Sequence, residues 1–144
     1  MRAVVTRVLS ASVTIDGKKV SEIDGGFLVL LGVHVDDTED KAIKMADKIC
    51  GLRIFEDENG KMNINPKDAG AKILIVSQFT LYADCSKRRP GFTDAARPEV
   101  SEPLYELVVS ECRKRGFIVG TGRFGADMKV ESVNDGPVTI ILDI

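Results

Sequence analysis

Two apolar runs constrain this chain more than anything else in it. "FLVLLGVHV", from residue 27, and "KILIVSQFTLY", from residue 72, are continuous where a half-exposed strand would alternate. Runs of this length and composition fit strands covered on both faces. Helices must then be available to cover them. "TEDKAIKMADKICGLRIF" predicts one, with Thr38 as its cap, Glu39 and Asp40 in its first turn and Gly51 at its end. Its apolar stripe reads Ile43, Ala46, Ile49 and Cys50. "PLYELVVSECRKRG" predicts a second, with Leu104, Leu107, Val108 and Cys112 on one face and Gly116 just past its end.

The other segments read as strands. "AVVTRVLSASVTIDGKKVSEI" is rich in Val, Ile and Thr around Asp16-Gly17, a strong hairpin signal. "RIFEDENGKMN" predicts a second hairpin at Asn59-Gly60, and "FIVGTG", "DMKVESV" and "VTIILDI" supply further strands. Gly136-Pro137 stands between the last two, where glycine and proline together predict a turn. "ADCSKRRPGFTDAARPEVSEP", residues 83–103, predicts a long loop. The order is strands, helix, strands, helix, strands. It predicts a single α/β domain over residues 1–144: a mixed, mostly antiparallel, barrel-like sheet with two to three flanking helices.

Arg7 shares the parity of Val5 and Leu9. In a regular strand it is partly buried and needs an acidic or carbonyl partner.

Charge limits the partners. The net charge is −2, so bulk attraction to nucleic acid is excluded and any polyanion contact must be local. Lys87, Arg88 and Arg89 in "SKRRPGF" are the first candidate; Arg113, Lys114 and Arg115 in "CRKRG" are the second. Such clusters also occur simply as solvated loops or helix ends. No stretch is apolar enough to span a bilayer and no signal-peptide layout opens the chain, so a cytoplasmic protein with no membrane partner is expected.

Catalytic parts are scarce. Cys50, Cys85 and Cys112 form no C-x-x-C, so neither a zinc site nor a disulfide framework is indicated; Cys50 and Cys112, in helix-like stretches, are expected to be idle reduced thiols, while Cys85 stands in a loop whose role stays open. His34 is the one histidine, a structural or exposed residue in the plainer reading and the one possible base of a triad in the sharper. "DENGKMNINPKD" begins like a calcium loop with Asp57 and Asn59, but Met62 stands where glycine is needed. No cofactor or metal is expected. What remains is Ser77, Gln78, Phe79 and Thr80, directly after "ILIV". They are either incidental polar residues at a strand end or the rim of a cleft, with backbone N–H groups as an oxyanion hole beside a hydroxyl.

"SQFTLYAD", "FTDAARPE", "TGRFGADM" and "NDGPVT" together resemble the D-aminoacyl-tRNA deacylases, and the resemblance runs essentially end to end. It implies that Ser77, Gln78, Phe79 and Thr80 line the active site. It implies a cis Gly136-Pro137 bond inserted into the active site of the other subunit of a homodimer. Parallel carbonyls held there leave no room for an L side chain, so chirality is selected by exclusion. Glycyl esters are then also open to cleavage. Phe79 and Thr80 would offer the oxyanion N–H groups, and the Thr80 hydroxyl would orient or attack. Met128 and Phe124 would shape the wall, and Lys87, Arg88 and Arg89 would meet the aminoacylated acceptor end of tRNA; no DNA partner is expected. Thr6, where the family commonly has Gln, and the shorter basic loop with Gly91 depart from the pattern on the tRNA-facing side. Two alternatives stay open: a non-catalytic module that binds RNA ends or other partners, and an esterase with Thr80 as nucleophile.

Overall fold

β1 (Arg2–Ile15) organises the sheet because three strands pair with it. The computed structural model describes residues 1–144. Asp16 and Gly17 both take positive φ, 50° and 75°, which suits a tight hairpin, and turn β1 into β2 (Lys18–Ile23). β2 pairs with the far half of β1, and β3 (Gly26–Gly32) pairs with its near half, both antiparallel. β3 then runs parallel to β6 (Lys72–Ser77), and β6 parallel to β7 (Val119–Thr121). β8 (Lys129–Asp143) lies antiparallel along β1. The short β4 (Phe55–Glu56) and β5 (Met62–Ile64) form the expected second hairpin. Asp57 accepts the N–H groups of Asn59 and Lys61 there, so its carboxylate serves the turn.

The two apolar runs are strands covered on both faces, as their composition requires. Phe27, Val29 and Leu31 of β3 and Ile73 and Ile75 of β6 face a layer made by α1 (Glu39–Gly51) and α2 (Pro98–Lys114). Leu28, Leu74 and Val76 face a second, smaller cluster with Val8, Val13 and Ile15 inside the curve of the sheet. Each such side chain, fully buried, contributes about 1.5–3 kcal/mol of transfer free energy. No helix is long and apolar enough to cross a membrane.

Four details correct the expectations. Thr38 holds the N-cap position of α1 but its hydroxyl makes no capping bond. The buried stripe of α1 is Ala42, Met45, Ala46 and Ile49, while Ile43 is exposed and Cys50 is only half-buried, so the buried face is turned by about one residue from the expected one. α2 starts at Pro98, so its first turn consumes residues assigned to the loop. Pro98 has no N–H to waste at a helix start, and Pro103 keeps a helical φ while sacrificing one bond.

The fourth correction concerns Gly136-Pro137, which is no turn between two strands. β8 continues through it as one strand, and the bond is cis. Thr6 pairs with Thr139 and Val8 with Asn134, so Arg7 alone faces residues 135–138. The Gly-Pro lies within this four-against-one bulge.

Candidate active site at the end of β6

The parallel strand β6 ends at Ser77, and a 3-10 turn, Phe79–Tyr82, follows. Gln78 is pinned between them, its N–H donating to the Leu31 carbonyl at 2.8 Å. Beyond this strand end opens a cavity of about 490 Å³. Ser77, Gln78 and Phe79 line it from the strand end, and Phe124 and Met128 line it from the segment between β7 and β8. Pro98 and Ser101, from the first turn of α2, close a third side. Asp127 is the only ionisable side chain of the lining.

The walls are held by ordinary packing. Phe79 is 54% exposed and meets Phe92 edge-on, with ring centroids 5.1 Å apart. The Gln78 amide donates to the Thr80 hydroxyl oxygen. Tyr105 lies behind the site, its hydroxyl donating to the Ile75 carbonyl at 2.8 Å and its ring 6.1 Å from that of Phe124. Burial pushes the Tyr105 phenol up to about 12, so it remains a donor at ordinary pH. Phe79 and Thr80 begin the 3-10 turn, where N–H groups have no acceptor within the helix.

The remaining sequence-derived candidates lie apart from this cavity. Thr80 sits beside it without lining it, and neither Gly136 nor Pro137 lines it. The Gly-Pro bulge is backed instead by Arg7, which is 6% exposed. Arg7 Nη1 donates to the Ile54 carbonyl at 2.7 Å. Asp135 Oδ2 is 3.1 Å from Arg7 Nε but off its N–H axis, so the pair is ionic without a hydrogen bond. The buried arginine thus has both kinds of partner its strand position demanded.

Lys87, Arg88 and Arg89 occupy the tip of a loop clasped by reciprocal backbone bonds between Asp84 and Gly91, 2.8 and 2.9 Å long. All three are exposed. The second basic cluster is engaged elsewhere: Arg113 donates to the Val119 carbonyl, and Lys114 and Arg115 pair with Glu111. His34 accepts the Asp36 N–H at Nδ1 and stacks edge-on with Tyr82, outside the cavity. Cys112 is buried, Cys50 half-buried and Cys85 exposed. Pro98 and Ser101 were missed by sequence reasoning. Proline followed by glutamate in "RPEVS" is a helix-start signal that could have found them.

A family model described as D-Tyr-tRNA(Tyr) deacylase matches residues 4–143. The chain belongs to that family. A D-aminoacyl-tRNA deacylase of Clostridioides difficile (strain 630) is 57% identical over 144 residues, covering 99% of this chain and 97% of the relative. One from Brevibacillus brevis is 56% identical, covering 99% of each. Among solved structures, a protein described as a c-Myc DNA unwinding element binding protein superposes with a TM-score of 0.94 at 43% identity, covering 100% of this chain and 99% of its own. A probable eukaryotic D-amino acid tRNA deacylase gives 0.87 at 18% identity, covering 99% and 98%, and at that distance shows the shared deacylase fold alone.

Proposed function

We propose that this chain is a hydrolase that cleaves the ester of D-aminoacyl-tRNA to free D-amino acid and tRNA. The observation that carries the reading is the cavity at the end of β6, which lies in a chain 57% identical to a named D-aminoacyl-tRNA deacylase and has no histidine, cysteine or lysine in its lining. Such a site suits an ester that is already activated. Water adds to the carbonyl carbon, the ester C–O bond breaks, and the proton passes to the departing ribose oxygen. The backbone N–H groups of Phe79 and Thr80 hold the oxyanion of the tetrahedral intermediate. Ser77 and Gln78 orient the ester, the neighbouring ribose hydroxyl directs the water, and Phe124 and Met128 bound the space.

Chirality is selected across a homodimer. The Gly136-Pro137 bulge of one subunit enters the cavity of its partner and blocks the L side chain. Three features support this. The bulge does not line its own cavity, Pro137 is exposed, and Arg7 braces it from behind. β8 also leaves one long edge unpaired, with Val130, Val133 and Ile141 exposed along it, a surface that a second copy would cover. Glycyl esters, which carry no side chain to exclude, are cleaved as well. The basic loop tip meets the phosphates of the acceptor end, and the enzyme works in the cytoplasm.

Deacylation of matched D- and L-tyrosyl-tRNA tests the activity; equal rates on both would sink the exclusion mechanism. Mixing a Pro137→Ala subunit with a subunit inactivated at Gln78-Phe79 (Gln78→Ala, Phe79→Ala) tests the dimer. Each heterodimer holds one site with wild-type residues from both chains, so activity returns. If subunits demonstrably exchange and activity stays lost, the bulge serves its own chain. A second reading, a nucleic-acid-binding module without catalysis, is favoured by the 43% identical protein described as binding a DNA unwinding element. Tight binding of D-tyrosyl-tRNA with no hydrolysis would support it.

A further inference from the structure

We propose that Gly122 sets the width of the cavity by providing a seat for the Met128 thioether. The inference deepens the deacylase reading and rests on it: the cavity that Met128 bounds is taken as the place of the aminoacyl end.

Gly122 directly follows β7 and Met128 directly precedes β8, so the two residues close the base of the segment between them. That segment is a wall of the cavity: Phe124, Gly125, Ala126, Asp127 and Met128 all line it. Its outer part has its own anchors, the Phe124–Tyr105 packing at 6.1 Å and the Ala126 N–H to Arg123 carbonyl bond at 3.2 Å. Its base has the thioether. A Cβ added at Gly122 would overlap Met128 Sδ and stand 3.6 Å from Met128 Cε. Ordinary heavy-atom contacts lie near 3.5–4.0 Å, so a methyl group at 122 displaces the sulfur by about 1 Å or more.

Met128 packs on one side against a closed apolar cluster and on the other lines the cavity. Val13 Cγ1 is 3.6 Å from the same Cβ position and belongs to the closed cluster of Leu28, Leu74 and Val76, against which Met128 packs. Of the two open spaces near this pair, Gly122 borders one and Met128 borders the cavity at the end of β6. The thioether therefore moves into it. Gly122 does not have a left-handed φ, so alanine is compatible with its backbone and the sulfur is the one group that must yield.

Gly122 is thus a positioning residue that acts through Met128, and its test needs four proteins: wild type, Gly122→Ala, Met128→Ala and the double variant. Each is assayed on D-tyrosyl-tRNA, and the Met128 ε-methyl resonance is followed in protein labelled with [13C-methyl]methionine. Gly122→Ala is expected to shift that resonance in the free enzyme. It should raise KM roughly tenfold, the scale of one methylene intruding into a pocket, with a smaller change in kcat. The double variant should return to the KM of Met128→Ala, because there is no sulfur left to displace. An unmoved resonance overturns the seat. A moved resonance with unchanged KM, or a double variant as impaired as Gly122→Ala, overturns the claim on width. A wild-type protein that leaves D-tyrosyl-tRNA intact while the resonance still moves would refute the deacylase reading, and with it the substrate role, but not the seat.

Discussion

The Arg7 guanidinium lies against Gly136, its Nη2 only 3.2 Å from where a Cβ would stand on that residue. Arg7 belongs to the middle of β1 and Gly136 to the bulge of β8. A buried cation thus forms the floor on which an exposed backbone feature rests.

Gly136→Ala is the direct probe of this contact. Its φ of +116° is unfavourable for an L side chain, and the new Cβ would meet Val138 Cγ2 at 2.8 Å. The expected loss is about 1–3 kcal/mol in urea unfolding, together with reduced hydrolysis of D-tyrosyl-tRNA. Unchanged stability and rate would show that the bulge adjusts freely.

Arg7→Lys keeps the charge and loses the fork. The Ile54 carbonyl and the face of Gly136 cannot both be served by one ammonium group. Stability should fall by about 1–3 kcal/mol, the cost of a buried group left without its partner. The ratio of D- to L-ester cleavage should fall too. A variant with full discrimination would make Arg7 a structural residue only.

Thr80→Ala separates orientation from covalent catalysis. The Thr80 oxygen accepts the Gln78 amide, which leaves the hydroxyl proton free. Loss of such a group should cost about tenfold or less in kcat. Removing a covalent nucleophile would cost roughly 10⁴-fold or more. A substrate whose terminal adenosine lacks the 2′-hydroxyl should lose most of its reactivity. The reverse pattern, with a trapped acyl-Thr80 adduct, would establish Thr80 as the nucleophile.

The clasped basic loop should dominate the salt dependence of binding. Each phosphate contact adds about −0.7 to −0.9 to the log–log slope of affinity against salt. Replacing Lys87, Arg88 and Arg89 by alanine should flatten that slope and leave single-turnover cleavage of bound substrate nearly unchanged. An unaltered slope would move the RNA surface elsewhere on the molecule.

Alkaline pH should reveal both tyrosines. Tyr82 and Tyr105 are the only two in the chain, which has no tryptophan. Burial, the larger cause for each, pushes both phenols up to about 12. The folded state therefore favours the neutral phenols. Their contribution is complete below the unfolded value near 10 and is lost as pH rises from about 10 to about 12. Near-ultraviolet absorbance should show no tyrosinate in the native protein at pH 10, while urea-unfolded protein is already half ionised. Equal titration curves for the two states would contradict the burial of these rings.

Much of this architecture was legible because its signals are local. Asp16-Gly17 and Asn59-Gly60 specify hairpins through their own φ preferences, and β3 and β6 announce themselves by unbroken apolar runs. The start of α2 was obscured by Pro103, which reads as a breaker although its φ is helical. The single strand β8 was obscured by Gly136-Pro137, because only pairing with β1 carries the chain through that bulge. The obscured start of α2 also hid Pro98 and Ser101 from the cavity: a wall built by a helix start cannot be read where a loop is expected. Ser77, Gln78 and Phe79 were legible as polar residues at a strand end, whereas the third dimension that sets Thr80, Gly136 and Pro137 apart from the cavity was not.

The absence of cysteine, histidine and lysine from the cavity wall has a pharmacological consequence. A warhead that alkylates thiols, acylates amines or captures imidazoles finds no anchor there. The polar side chains that remain there are Ser77, Gln78, Ser101 and Asp127, so an inhibitor would lean on fit and hydrogen bonding to them, and its selectivity among relatives would depend on contour. Resistance would then arise through residues such as Met128 that reshape the walls.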